Sequence, residues 1–128
     1  MKIVDKEIVR SIKFADFDKT YRATVIFKTP IKDLKLLKQF NNTLIAQETP
    51  TRVLRRRSDK IRKRRIKNIT YRILGEKKLE LKIKAQSGLY IKELINGDNG
   101  RTKPSISEIL NNEVKKIELD VMKIHSNR

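Results

Sequence analysis

The sequence has no cysteine, no tryptophan and a single histidine among its 128 residues. Without cysteine it can form neither a disulfide framework nor a thiolate metal site, which is typical of an intracellular protein, and we expect a cytoplasmic location. The single histidine, His125, cannot form a metal cluster or a Ser-His-acid catalytic set by itself. These absences exclude the secreted disulfide-rich class and several common kinds of active site.

Other shortages narrow the class of protein further. No apolar run approaches the length that spans a membrane, and the first ten residues lack the apolar segment of an export signal. Aromatic residues are scarce, at four Phe and three Tyr, so serial base stacking along a single nucleic-acid strand is not expected. A chain of this length has room for one modest core, and we predict a single domain over residues 1–128.

Positive charge is what the sequence has in excess. Lys and Arg total 32 against 15 Asp and Glu, which gives a formal net charge of +17. Charge of this size opposes compaction and attracts polyanions, so the first partner to expect is nucleic acid.

Much of that charge lies in one run, residues 52–67, which contains ten basic residues and one acid, Asp59. Such a run can be a solvated face or a disordered arm. Apolar residues recur through it, however, and arginine forks match phosphate geometry in a way that lysine does not. We therefore favour a segment that follows an RNA backbone without identifying bases. The predicted RNA-binding residues are Arg52, Arg55, Arg56, Arg57, Arg62, Lys63, Arg64, Arg65 and, from a later loop, Arg101.

Hydrophobic patterning predicts an α+β fold with a mixed, mostly antiparallel sheet and two or three short helices. The clearest strand, residues 79–85, alternates apolar with charged positions, so one of its faces should be buried and the other basic. Ser105 and Glu108 have capping-box spacing, which predicts a helix through residue 110. The other predicted elements are strands over residues 3–14, 21–27, 43–47, 66–73 and 114–124, and an amphipathic helix over residues 32–40.

No set of residues in the sequence forms a complete catalytic site. Asp16 and Asp18 lie in a predicted turn, and Asp98 lies between two glycines, where acidic residues serve backbone geometry. A phosphate-binding glycine loop is also missing. Composition and spacing alone therefore indicate a basic α+β domain that binds RNA or DNA.

Several motifs allow a more specific interpretation. The stretch SGLYIKELI at residues 87–95 resembles the G-T-Y-I-R motif of TruB-like pseudouridine synthases. Four further motifs narrow the resemblance to one branch of these enzymes. They are T-P-x-R-V-L-x-R-R at residues 49–57, G-D-x-G-R-T-x-P-S at residues 97–105, DKTYRATV at residues 18–25 and IELDV at residues 117–121. That branch is the tenth Pus family, the archaeal and eukaryotic tRNA pseudouridine synthases, and the match covers the C-terminal half of its catalytic domain.

The resemblance implies an enzyme that isomerises T-arm uridines of tRNA to pseudouridine, with no metal or cofactor, through a catalytic aspartate and a flipped nucleotide. It implies that Tyr21 stacks on the target base, that Lys92 keeps the aspartate ionised, and that Ile91 and Leu119 are apolar residues of the site. Simpler interpretations stay open for each residue: a core tyrosine, a surface lysine on a charged strand, and a core leucine.

One part of the family's pattern is missing, because the loop with the catalytic aspartate cannot be placed before residue 21. Three accounts follow. In the first, a second polypeptide carries the aspartate motif and an accessory RNA-binding domain, so the isolated chain is inactive and leaves an apolar edge-strand surface for its companion. The second is a non-catalytic RNA-binding module, and the third an unrelated basic protein such as a ribosomal component. The joint presence of Tyr21, Lys92 and Leu119 favours the first.

Overall fold

The structure is a computed structural model that describes residues 17–125. The strand predicted over residues 3–14 therefore lies outside the described residues. The elements in chain order are β1 (Asp18–Phe27), a 3₁₀ helix (Leu34–Phe40), β2 (Thr43–Glu48), a 3₁₀ turn (Thr51–Val53), β3 (Ile61–Ile73), β4 (Lys78–Ala85), α1 (Ile91–Asn96), a tight loop (Gly97–Gly100), β5 (Thr102–Lys103), α2 (Ile106–Leu110) and β6 (Val114–His125).

Six strands form one sheet in the order β5-β2-β3-β4-β1-β6, and every neighbouring pair among them is antiparallel. The predicted pair of strands around Gly75 is the hairpin β3–β4. Next to the edge strand β6, Tyr21 of β1 lies opposite Ile83 of β4, and Ala23 lies opposite Leu81. The predicted α+β class with an antiparallel sheet is confirmed.

The core lies on one face of this sheet. The alternation predicted for residues 79–85 is confirmed, because Leu79, Leu81, Ile83 and Ala85 are fully buried while the residues between them are not. Burial of each large apolar side chain contributes about 1.5–3 kcal/mol. The buried residues of the helices complete the same core: Leu37, Phe40, Ile91, Leu94, Ile95, Ile106 and Leu110.

The helices differ in how closely they follow the prediction. The amphipathic helix predicted over residues 32–40 is a 3₁₀ helix that buries Leu37 and Phe40 and leaves Leu36 exposed. The cap predicted for α2 is confirmed, since the Ser105 hydroxyl accepts a hydrogen bond of 3.2 Å from the Glu108 backbone N–H. Asp18, placed in a turn by sequence, is the first residue of β1.

Two predictions for the basic run and the segment after β4 need correction. The strand predicted from residue 66 begins at Ile61, so the second half of the basic run is ordered within the sheet. Lys92 lies in α1 and not on a charged strand. This helix ends at Gly97, which has a φ of 83° and where an added Cβ would lie 2.8 Å from the Ser105 hydroxyl oxygen.

Within residues 17–125 no helix is both long and apolar enough to cross a membrane.

Candidate functional site

Tyr21 lies on the helix-bearing face of the sheet, where the core reaches solvent. Its neighbours across the two adjoining strands are Ile83, which is fully buried, and Val121, which is 54% exposed. Burial of the Tyr21 side chain raises the pKa of its phenol. The phenol is therefore neutral at physiological pH. The Tyr21 ring packs against the core and lies beside Val121, an exposed apolar residue.

Leu119 and α1 lie next to this ring. Leu119 is directly opposite Ala23, one step along the same face of β1 from Tyr21, and it packs against the core. Helix α1 packs against β6, with Ile91 buried in the core and Lys92 exposed. The structure thus brings the elements that carry all four predicted site residues together on one face of the sheet.

The start of α1 is held by Gln47, which sequence analysis did not single out. The Gln47 side chain donates a hydrogen bond of 2.8 Å to the Tyr90 carbonyl and accepts one of 2.9 Å from the Tyr90 N–H. Gln47 is only 2% exposed, and its amide also donates to the Thr102 hydroxyl at 3.3 Å. A buried amide with its hydrogen bonds satisfied fixes backbone position, so Gln47 fixes the residue before Ile91.

The basic run also reaches this segment. The Arg64 Nε donates a hydrogen bond of 3.1 Å to the Ser87 carbonyl. The next residue, Gly88, has a φ of 90°, and an added Cβ would lie 2.9 Å from the Arg64 Nε. Arg64 and a glycine backbone thus pack together where the chain turns towards α1.

A second arginine joins the basic run to α1 itself. Arg52 donates from Nε to Glu93 Oε2 at 2.8 Å and from Nη2 to Glu93 Oε1 at 3.3 Å. The Glu93 carboxylate is buried, and this hydrogen-bonded partner raises the pKa of the Arg52 guanidinium above its usual range. The guanidinium carbon also lies 5.8 Å from the centre of the Tyr90 ring, within the range of a cation–π contact.

Residues of the G-D-x-G-R motif hold the same region from the other side. Asp98 accepts a hydrogen bond of 2.9 Å from the Thr51 N–H. Arg101 donates from Nε and Nη2 to the Thr49 carbonyl, at 3.1 and 2.9 Å, and from Nη2 to Asp59 at 2.6 Å. Its side chain is 22% exposed and also lies 3.4 Å from Glu48. Arg101 is thus engaged within the protein, and its RNA-binding role stays a prediction.

The remaining basic residues do not form one surface. Arg55, Arg56 and Arg57 are exposed in the segment before β3, and the last two line, with Val53, a surface depression of about 490 Å³. In β3 the residues alternate between faces. Arg62 and Arg64 lie opposite the buried Gln47 and Ile45, whereas Lys63 and Arg65 lie on the other face.

The fold resembles that of a chain from the solved structure titled "Crystal Structure of a Cbf5-Nop10-Gar1 Complex". The TM-score is 0.55 at 15% identity, over 86% of this chain and 32% of that chain. At this identity the likeness concerns the fold alone.

Sequence comparison identifies the family. The family described as "Pus10, C-terminal" matches residues 1–125, and the chain belongs to it. It is 47% identical to the tRNA pseudouridine synthase Pus10 of Methanosphaera stadtmanae, over 98% of this chain and 31% of that protein. The protein of that name from Thermofilum pendens is 49% identical over 83% of this chain and 24% of its own length. The chain thus spans about a quarter to a third of these relatives, and the family resemblance read from the motifs is confirmed.

Proposed function

We propose that this chain supplies the C-terminal part of the active site of a tRNA pseudouridine synthase that isomerises T-arm uridines. The observation that carries the proposal is the meeting of β1, β6 and α1, which brings three separate family motifs to one face of the sheet. Family membership and the names of the relatives support the same activity.

Tyr21 provides the stacking surface for the target uracil. A nucleotide that leaves its helix loses its stacked neighbours, and an aromatic ring restores part of that contact. The half-buried position of Tyr21 supports this role, because the core holds the ring while Val121 beside it stays open to solvent. Leu119 extends the apolar wall along the same face.

Lys92 provides the positive charge for the catalytic aspartate. A cation beside a carboxylate favours its ionised form, which is the form that attacks. Lys92 is exposed and forms no ion pair with any residue in the described part of the chain. Its neighbour Ile91 is buried and so anchors the start of the helix that carries the lysine.

A second polypeptide provides the nucleophilic aspartate and an accessory RNA-binding domain in this proposal. Strand β6 supports it, since β6 lies at the edge of the sheet in the part of the chain that the structure covers. Val121, Met122 and Ile124 expose apolar side chains there. A long edge strand with exposed apolar residues is a surface to which another strand can add.

The exposed basic residues bind the tRNA backbone. Arg55, Arg56 and Arg57 have exposed side chains, so their guanidinium groups are open to phosphate. They precede β3 in the run that Arg52 ties to α1, which supports a link between backbone binding and the site. We expect the assembled enzyme to act in the cytoplasm.

Reconstitution tests the proposal. The purified chain is mixed with a polypeptide carrying the catalytic-aspartate motif, and pseudouridine in T-arm positions of unmodified tRNA is measured by mass spectrometry. We expect product from the mixture and none from either part alone. Modification by the lone chain, or none by a mixture shown to form a complex, would overturn the proposal. Binding without modification would favour a non-catalytic RNA-binding module.

A further inference from the structure

The face of the sheet opposite the core has no helix on it within residues 17–125, and we name it the open face. The residues that point to the open face can be identified because they alternate along each strand with the residues buried in the core. Leu81 and Ile83 are buried in β4, so Lys82 and Lys84 point to the open face. In the same way Arg22 of β1 and Lys63 and Arg65 of β3 point outward. The outward positions of three neighbouring strands thus include these five basic side chains.

The charges of this face are placed at a cost to stability. Arg22 lies directly opposite Lys82 in the antiparallel register. Like charges in facing positions destabilise a sheet. On its other side Arg22 lies opposite Asp120 of β6, with 3.9 Å between guanidinium and carboxylate, whereas Lys82 forms no ion pair with any other described residue. A bound anion would offset this repulsion.

The open face also carries acids: Asp18 of β1 lies 3.6 Å from Lys67, and Glu118 and Asp120 lie on the edge strand β6. Glu80 of β4 forms an ion pair of 3.3 Å with Arg72. On β1, Thr24 lies between Glu80 of β4 and Glu118 of β6. Between the basic and mixed regions lies a depression of about 270 Å³. Its lining residues are Arg22, Thr70, Tyr71, Arg72, Glu80 and Lys82. Three cations against one carboxylate give the depression a positive balance.

We propose that the open face is a second RNA-binding surface, which contacts phosphates on the side of the sheet away from Tyr21. The identity of the polyanion as RNA rests on the proposed function. Backbone contact is favoured over base stacking, because Tyr71, the one aromatic residue lining the depression, lies opposite the buried Leu81 and therefore on the core face of the sheet. Lysine at the central outward positions also disfavours a protein partner, since lysine is depleted from the cores of protein interfaces.

The dimensions suit an extended polyanion. From Lys63 on β3 to Arg22 on β1 the basic side chains extend on the order of 25 Å, given about 3.3 Å per residue along a strand and about 4.8 Å between strands. Because the exposed arginines at residues 55–57 precede β3, the same RNA can contact both this segment and the open face.

The test is the salt dependence of tRNA binding by the full chain. The open-face variant is Lys82→Gln with Lys84→Gln, and the matched control is Lys32→Gln with Lys35→Gln, two exposed lysines beside and within the first 3₁₀ helix. We expect the slope of log K against log salt to fall in magnitude by about 0.9 for each lost phosphate contact in the open-face variant, and not in the control. A Lys82→Arg, Lys84→Arg variant should keep the original slope.

Equal slopes for the open-face variant and the control, both folded by circular dichroism, would overturn this proposal, as would the absence of tRNA binding by the unaltered chain. The outcome is separable from that of the proposed function. If the reconstituted enzyme forms no pseudouridine, the catalytic proposal fails, whereas the slopes still decide whether the open face contacts RNA.

Discussion

Arg52 and Glu93 connect the basic run to the helix that carries Lys92. The guanidinium donates two hydrogen bonds, at 2.8 and 3.3 Å, to a carboxylate that is almost completely buried. A buried carboxylate without a partner is strongly unfavourable, so this pair keeps Glu93 in place. The 3₁₀ turn at the start of the basic run is thereby fixed to α1.

Loss of Arg52 should destabilise the fold through the carboxylate it leaves behind. We expect Arg52→Met to lower the free energy of unfolding by about 2 kcal/mol, measured by urea denaturation. Arg57→Met, at an exposed position, should change it by less than about 0.5 kcal/mol. Adding Glu93→Gln to Arg52→Met should restore part of the lost free energy of unfolding. Equal stability of the Arg52→Met and Arg57→Met variants would contradict this account.

Any side chain at position 88 should destabilise the folded protein. Its φ of 90° is unfavourable for other residues, and an added Cβ would lie 2.9 Å from the Arg64 Nε. Gly88→Ala should therefore lower the midpoint of thermal unfolding, at a cost of about 1–2 kcal/mol. The matched control is Gly75→Ala, where the nearest atom to an added Cβ is 3.6 Å away. A similar midpoint for both variants would show that the turn at residue 88 is not constrained.

The Tyr21 phenol should ionise above the ordinary tyrosine pKa of about 10, because burial raises its pKa. The pKa of this phenol is higher in the folded protein than in the unfolded chain. Its contribution to the free energy of unfolding is therefore fully present at pH values below the unfolded pKa. The contribution is lost as the pH rises through the folded pKa. Ultraviolet titration at alkaline pH should show a late phenolate transition that Tyr21→Phe removes. If the late transition persists in that variant and the ordinary one loses amplitude instead, the Tyr21 ring lies in solvent.

Arg55, Arg56 and Arg57 should set part of the affinity for tRNA. Replacing all three with Gln should weaken binding and reduce the magnitude of the salt slope by about 0.9 per lost phosphate contact. The measurement is a binding titration at several salt concentrations, with the Lys32→Gln, Lys35→Gln variant as control. An unchanged slope would make this segment a solvated surface.

Local patterns predicted much of the fold. The alternation over residues 79–85 gave the buried face of β4, and Ser105 with Glu108 gave the start of α2. Helix α1 was missed because it is only six residues long and Tyr90, at its N-cap, has no side chain that caps. Short apolar runs do not separate a buried helix from a strand.

Only those residues of the candidate site that belong to family motifs could be predicted from the sequence. Tyr21, Ile91, Lys92 and Leu119 came from resemblance, and their roles stay predictions. Gln47 gave no sequence signal, because its partner Tyr90 is 43 residues away and the contact depends on tertiary packing. The division of the basic run between two faces likewise depends on the register of β3 with β2.

The most direct test of the central claim is the single-turnover rate of pseudouridine formation by the reconstituted enzyme with Lys92→Met. The control is Lys77→Met, in the exposed turn between β3 and β4. If Lys92 supports the catalytic aspartate, its loss should slow the reaction by about 100-fold or more while tRNA binding and the control rate stay unchanged. An unaltered rate for Lys92→Met would contradict the assignment of this face as the uridine site.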